Sequence, residues 1–185
     1  MAQLSSEELE KNAVRMVATL MAASAKTAPK AKGIDRIKTM VLEGQDLEKL
    51  AQAMERKATT PSSAFIRDAG NLRKSGCVLL VGVKGEVKNL DCGACGYGAC
   101  RELQEVREEG LKQGRDFSGP NCLFQAIDLG IALGSAVKLA SDLNVDNRLM
   151  YTIGSAAKAS KLLDSDIIIG IPLSATGKSP YFDRK

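Results

Sequence analysis

The sequence predicts an α+β fold, a small sheet sandwiched by helices, formed by 185 residues as a single domain. Three observations point there. Cys77-Val78-Leu79-Leu80-Val81-Gly82-Val83 and Ile167-Ile168-Ile169-Gly170-Ile171 are continuous apolar runs, the pattern of strands covered on both faces. Segments of helical period lie between the strands and outnumber them. The chain is 44% hydrophobic, ample for a real core, although aromatic residues make up only 4% and there is no Trp.

Taken in order, Ser5-x-x-Glu8 is a capping box that opens a helix running to about Lys26. Leu9, Ala13, Val14, Val17, Leu20, Met21 and Ser24 give that helix a wide apolar face. Pro29 interrupts, and Ile34 to Leu42 reads as a strand. A helix from about Asp46 to Lys57 follows, with Leu47, Leu50, Ala51 and Met54 on one side. Thr60-Pro61 reads as an N-cap followed by proline in the first helical position. The helix it starts turns Phe65, Ile66, Ala69 and Leu72 inward and ends at Gly76.

After the Cys77–Val83 strand and a cysteine-rich segment, a highly charged helix runs from Arg101 to about Lys112. Leu103 and Val106 face inward on it, and Glu108 and Lys112 form an i, i+4 pair. The stretch from Cys122 to about Leu143 is a long apolar helix. Gln125, Asp128 and Lys138 within it argue for a buried helix rather than a membrane span. Its Gly130-x3-Gly134 reads as close helix packing. Ser155 caps a further helix carrying Ala156, Ala159, Leu162 and Leu163, and the Ile167–Ile171 strand closes the core.

The chemistry lies in the cysteines, spaced Cys92-x2-Cys95-x4-Cys100-x21-Cys122. Four thiolates gathered this way are the usual cage of an iron–sulfur cluster. Gly93, Gly96 and Gly98 suit positive φ and would bring backbone N–H groups to anionic sulfur. Zinc is the rival, but zinc ribbons present two Cys-x2-Cys knuckles and this chain has one. Disulfides fit poorly with five cysteines, an odd number. Cys77, at the head of a buried strand, reads as a small core residue.

Other features mainly exclude. A net charge of +4 is too balanced to indicate nucleic acid, and an acidic Ser5-Ser6-Glu7-Glu8 start is unlike a secretory leader. The expectation is a cytoplasmic protein away from membranes. The chain has no His, which removes Ser-His-Asp and Cys-His catalysis and Rieske ligation. Gly177-Lys178-Ser179 mimics the end of a P-loop, but Pro172 stands where its first glycine belongs. The basic run from Lys26 to Lys38 reads as a solvated loop, or as a clamp for a flavin or pyridine-nucleotide phosphate.

Cys92-Gly93-Ala94-Cys95-Gly96-Tyr97-Gly98-Ala99-Cys100 with Cys122 resembles the four-cysteine [4Fe-4S] domain of redox and corrinoid-linked proteins. Ala25 to Gly33, with Ala28-Pro29, and Gly130 to Pro180, with Ile169-Gly170-Ile171-Pro172, resemble the nitroreductase superfamily. Together with the tail Lys178 to Arg184, the combination resembles a family of uncharacterised ferredoxin-domain-containing proteins. The resemblance implies a nitroreductase-like α/β sandwich over residues 1–185, with residues 85–122 as an inserted ferredoxin-like cysteine segment. It further implies an intertwined homodimer with FMN at the subunit interface and a redox partner, protein or small molecule. Cys92, Cys95, Cys100 and Cys122 would be the metal ligands, and Lys30, Lys32, Lys178 and Arg184 the flavin phosphate contacts. The chain departs from nitroreductases in having Lys30 and Gly33 where many carry Ser and a flavin-contacting Asn. The function expected is an iron–sulfur redox protein, with a non-catalytic zinc protein as the alternative.

Overall fold

A computed structural model describes residues 3–182. In chain order the elements are α1 (Ser6–Thr27), a 3-10 turn (Ala31–Gly33), β1 (Ile37–Glu43), α2 (Gln45–Lys57), α3 (Ala64–Arg73), β2 (Cys77–Val83), α4 (Cys100–Glu109), β3 (Lys112–Gln113), β4 (Ser118–Gly119), α5 (Leu123–Asp142), β5 (Asp146–Asn147), α6 (Tyr151–Ala159) and β6 (Ile167–Ser174). The main sheet has the order β1-β2-β6-β5, with every pairing antiparallel. The α+β class read from the sequence is what the chain adopts.

Strand β2 sits at the centre because nothing along it is polar. All of its residues are buried, with Leu79 opposite Val41 on one side and Ile171 on the other. Side chains alternate across a sheet. Cys77, Leu79, Val81 and Val83 therefore pack with α1 and α5, whereas Val78 and Leu80 pack with α2, α3 and α6. The result is three layers: a pair of helices, the sheet, and three helices. Each Val or Leu buried there contributes about 1.5–3 kcal/mol.

Helix α1 begins as expected: Glu8 N–H donates to Ser5 Oγ at 3.3 Å and Ser5 N–H to Glu8 Oε2 at 2.7 Å. Its buried side is Val14, Val17, Ala18, Met21 and Ala25, whereas Leu9 and Leu20 of the expected apolar face lie exposed beside Met16. Helix α5 runs along α1, and the two hydroxyls of Ser24 and Ser135 bridge them at 2.7 Å. By length and composition α5 could cross a membrane, yet Gln125 and Asp128 are buried inside the protein. It is a core helix.

Four sequence expectations need correcting. Thr60-Pro61 forms a turn, and the helix after it starts later: Ser63 Oγ caps α3 by accepting from Phe65 N–H at 3.3 Å. Ser155 is inside α6, whose N-cap is Met150; its hydroxyl is taken by Asp116. Helix α4 ends at Glu109 because Gly110 follows at φ 142, so Lys112 enters β3, and Glu108 accepts from Gln104 instead. A Cβ on Gly130 or Gly134 would meet nothing within 4 Å among the described residues, and both share an open face of α5 with Leu123, Ile127 and Ile131. Close approach is used elsewhere, where α6 crosses β6: a Cβ on Gly154 would lie 1.7 Å from the Ile168 carbonyl oxygen.

Candidate metal centre

Beyond Val83 the chain leaves the sheet, and residues 84–99 form no helix or strand. Their course is set by backbone and buried ionic contacts. Gly85 N–H donates to Asp166 Oδ2 at 2.8 Å, and Gly85 O accepts from Cys122 N–H at 2.9 Å. The approach leaves no room for a side chain, since a Cβ on Gly85 would lie 1.8 Å from Asn121 Oδ1. Arg107, on α4, locks the same corner. It donates to Asp166 Oδ2 at 2.8 Å, to the Pro120 carbonyl and to Asn121 Oδ1 at 3.2 Å. Both partners of the Arg107–Asp166 pair are about nine-tenths buried. The helix that starts at Cys100 is thereby fixed relative to the loop that delivers Cys122.

Cys100 is held by Asp91. Its N–H donates to Asp91 Oδ1 at 2.8 Å, while Asp91 N–H donates to Cys100 Sγ at 3.3 Å. That second bond requires Asp91 at φ 48, a left-handed conformation Asp tolerates better than most residues. Gly93 and Gly96 take positive φ, 67 and 89, as expected. Gly98 does not, and its N–H donates to Glu102 Oε2 at 3.0 Å rather than to sulfur.

These constraints bring Cys92, Cys95, Cys100 and Cys122 into the lining of one narrow pocket, with Leu103 and Phe124 at its back. All are free thiols; Cys92 is exposed, Cys95 and Cys100 are half-buried and Cys122 is buried. Helix α4 begins at Cys100, and α5 has Cys122 as its N-cap. Both thiols thus sit at helix N-termini, which favour negative charge. No three Cys, Asp or Glu side chains among the described residues stand close enough to hold one metal ion. The donor chemistry, soft thiols at two positive helix ends, nevertheless suits an anionic iron–sulfur cluster. Cys77 is elsewhere, in the core against the Val14 carbonyl; burial, then the Glu43 carboxylate, pushes its thiol up to about 12.

The sequence reading did not find Lys88. It is fully buried, forms part of the wall of the thiol pocket, donates to the Ile34 carbonyl and ion-pairs with Asp128 on α5. Asp128 Oδ1 accepts from Ala31 N–H at 3.0 Å, and Gln125 Nε2 from the same helix donates to the Glu86 carbonyl at 3.1 Å. Only half of the signal lies in the sequence: an aspartate on the apolar side of a helix calls for a cationic partner, but nothing local to Asp128 says which residue supplies it.

The flavin-phosphate candidates are not gathered into one site. Lys30 Nζ donates to the carbonyls of Ala25, Lys26 and Ala28 at 3.3, 2.6 and 2.7 Å and so caps α1. Lys32 Nζ donates to the Asn89 carbonyl at 2.9 Å. Lys178 is exposed beyond β6, and Arg184 lies outside the described residues.

A sheet of this order between two helical layers has the nitroreductase fold, and the cysteine segment is tied to it where the central strands β2 and β6 end and begin. It overlays a putative nitroreductase from Desulfovibrio desulfuricans in complex with FMN with a TM-score of 0.55 at 14% identity, covering 100% of this chain and 81% of that one. A nitroreductase family protein from Clostridium novyi gives 0.53 at 16% identity, covering 95% and 77%. B. megaterium NfrA1 gives 0.53 at 14% identity, and the chain spans 61% of its length. At these identities the likeness concerns the fold. An uncharacterized protein of Archaeoglobus fulgidus is 47% identical over 182 residues, covering 98% of this chain and 97% of that one. Residues 118–184, which include Cys122, match the family described as "Uncharacterized protein containing a ferredoxin domain (DUF2148)", and the chain belongs to that family.

Proposed function

We propose that this chain is an iron–sulfur redox protein in which Cys92, Cys95, Cys100 and Cys122 jointly hold one [4Fe-4S] cluster. The observation that carries the reading is the convergence of thiols from a loop, a helix start and a distant helix N-cap on one pocket. The ferredoxin domain of the family supports the same chemistry. Such a cluster supplies one-electron transfer when bound. The chain's own residues do the rest: Arg107 and Asp166 fix the spacing of the two cysteine-bearing helices, and the Asp91 amide donates to the Cys100 sulfur. Residues 85–122 act as an inserted electron-carrying segment on the nitroreductase-like body. Cys92, the exposed ligand, marks the side from which a partner exchanges electrons.

FMN is the second cofactor of this reading, held between two copies of the chain; of the candidate phosphate contacts, Lys30 already donates to the carbonyls that end α1 and Lys32 to the Asn89 carbonyl, so a bound phosphate would compete with those bonds. A neighbour of the same fold carries FMN. The test is anaerobic reconstitution with iron, sulfide and FMN, followed by iron, acid-labile sulfide and flavin assays. Brown protein with iron and sulfide in equal amounts supports the reading. One equivalent of zinc and no redox-active spectrum would instead leave a structural, non-catalytic site.

A further inference from the structure

From the placement of one buried ion pair, we infer that Lys88 sets the reduction potential of the four-cysteine centre by presenting a buried positive charge to it, with Asp128 as its counter-charge. The inference rests on the iron–sulfur reading and adds the residue that tunes it.

Lys88 is a lysine with 0% exposure, a burial that lysines reach only when paired. Its pairing is oriented. The residue belongs to the wall of the pocket that the four thiols line, whereas Asp128 does not. Asp128 lies on α5 nearly two turns past Cys122 and is held there by the Ala31 N–H. The ammonium is also fixed from a third direction by the Ile34 carbonyl. Of the two partners, Lys88 is the one that belongs to the lining of the thiol pocket. A surface ion pair would be screened by salt, but these two side chains are shut off from solvent, 0% and 3% exposed. The Asp91 carboxylate, on the Cys100 amide, is the opposing charge at the site, and the arginines in and beside the cysteine segment are paired with carboxylates of their own. Arg107 is neutralised by Asp166, Arg101 by Glu105, and Arg36 by Glu86. Lys88 is the buried cation beside the pocket.

Four thiolates give the centre net negative charge, and each added electron increases it. A positive charge in a low-dielectric wall therefore favours the reduced state, and net charge near a cluster is among the factors that set its potential. One electron is added and no bond forms. Lys88 acts as a positioning charge and is not a ligand.

Two variants separate the contributions. Asp128→Asn keeps the shape and leaves the Lys88 charge uncompensated; Lys88→Met with Asp128→Leu removes both charges together, avoiding a stranded carboxylate. Each is reconstituted anaerobically and titrated with dithionite in the presence of mediators, with the reduced-cluster EPR signal as readout. The expected order of midpoint potential is Asp128→Asn highest, native next, the double variant lowest. At a fixed ambient potential, each step changes the reduced-to-oxidised ratio about tenfold, which is 59 mV for one electron. Should the double variant fail to fold, the upward shift in Asp128→Asn alone decides. Equal potentials in proteins with intact cluster signals would overturn the role of Lys88 while leaving the cluster in place. A native chain that takes up no cluster at all would overturn the iron–sulfur reading, and this inference with it.

Discussion

Asp116, in the turn between β3 and β4, joins three parts of the chain: its carboxylate accepts from Tyr151 OH at 2.9 Å and from Ser155 Oγ on α6, and lies 3.1 Å from Lys57 Nζ on α2. Burial pushes this carboxyl up, but the hydrogen bonds from Ser155, Lys57 and Tyr151 together outweigh it and hold the group below the usual carboxylate range. A depressed carboxyl pKa stabilises the fold above the unfolded value, about 3.9, and that contribution is lost as pH falls through the lower folded value. Asp116→Asn is therefore expected to lower the unfolding free energy at pH 7 by about 1–3 kcal/mol. Urea titrations at falling pH should show the gap to the native protein closing below pH ~4. The cysteines differ as sharply. With its thiol near 12, Cys77 stays unlabelled by iodoacetamide at pH 8 until the protein unfolds, whereas Cys92 of the metal-free protein reacts first; mass spectrometry of time-resolved labelling checks the order.

Among the elements, the crossing of α6 over β6 is the least tolerant. Gly154 lies against the Ile168 carbonyl and Gly170 against Ile153, so each glycine removes a side chain that backbone or a core isoleucine would meet. Gly154→Ala should cost about 3 kcal/mol or more, read from denaturant melts, because the clash is with main chain that cannot rotate away. The same crossing explains what the sequence left unreadable. Strand β2 and the start of α1 were legible because an unbroken apolar run and a capping box are local signals. The starts of α3 and α6 were not, because Thr60 and Ser155 are equally good caps in isolation, and tertiary partners decide otherwise. At the candidate site the spacing singled out the four cysteines that the fold brings to the lining of one pocket. The Arg107–Asp166 and Lys88–Asp128 pairs that hold it link residues far apart in the chain, so no local pattern revealed them.

Seen as a whole, the molecule covers the two faces of its sheet unequally. The layer of α1 and α5 turns Met16, Leu20, Leu123, Ile127 and Ile131 outward, with open space over Gly130 and Gly134. A face this apolar is the one a second copy would cover in the proposed homodimer. Sedimentation should find a dimer for the native chain and a monomer for Ile127→Glu with Ile131→Glu; a native monomer at micromolar concentration would remove the FMN-at-the-interface arrangement as well. All of this surrounds one claim, that four thiols act together on a single cluster. Iron and sulfide content with EPR, measured on the anaerobically reconstituted native chain and on Cys122→Ser, tests it most directly. The native chain should carry about four irons and four sulfides, with a reducible cluster signal that Cys122→Ser loses or converts to a three-iron form. Full cluster content in Cys122→Ser, or zinc in place of iron in the native protein, would contradict it.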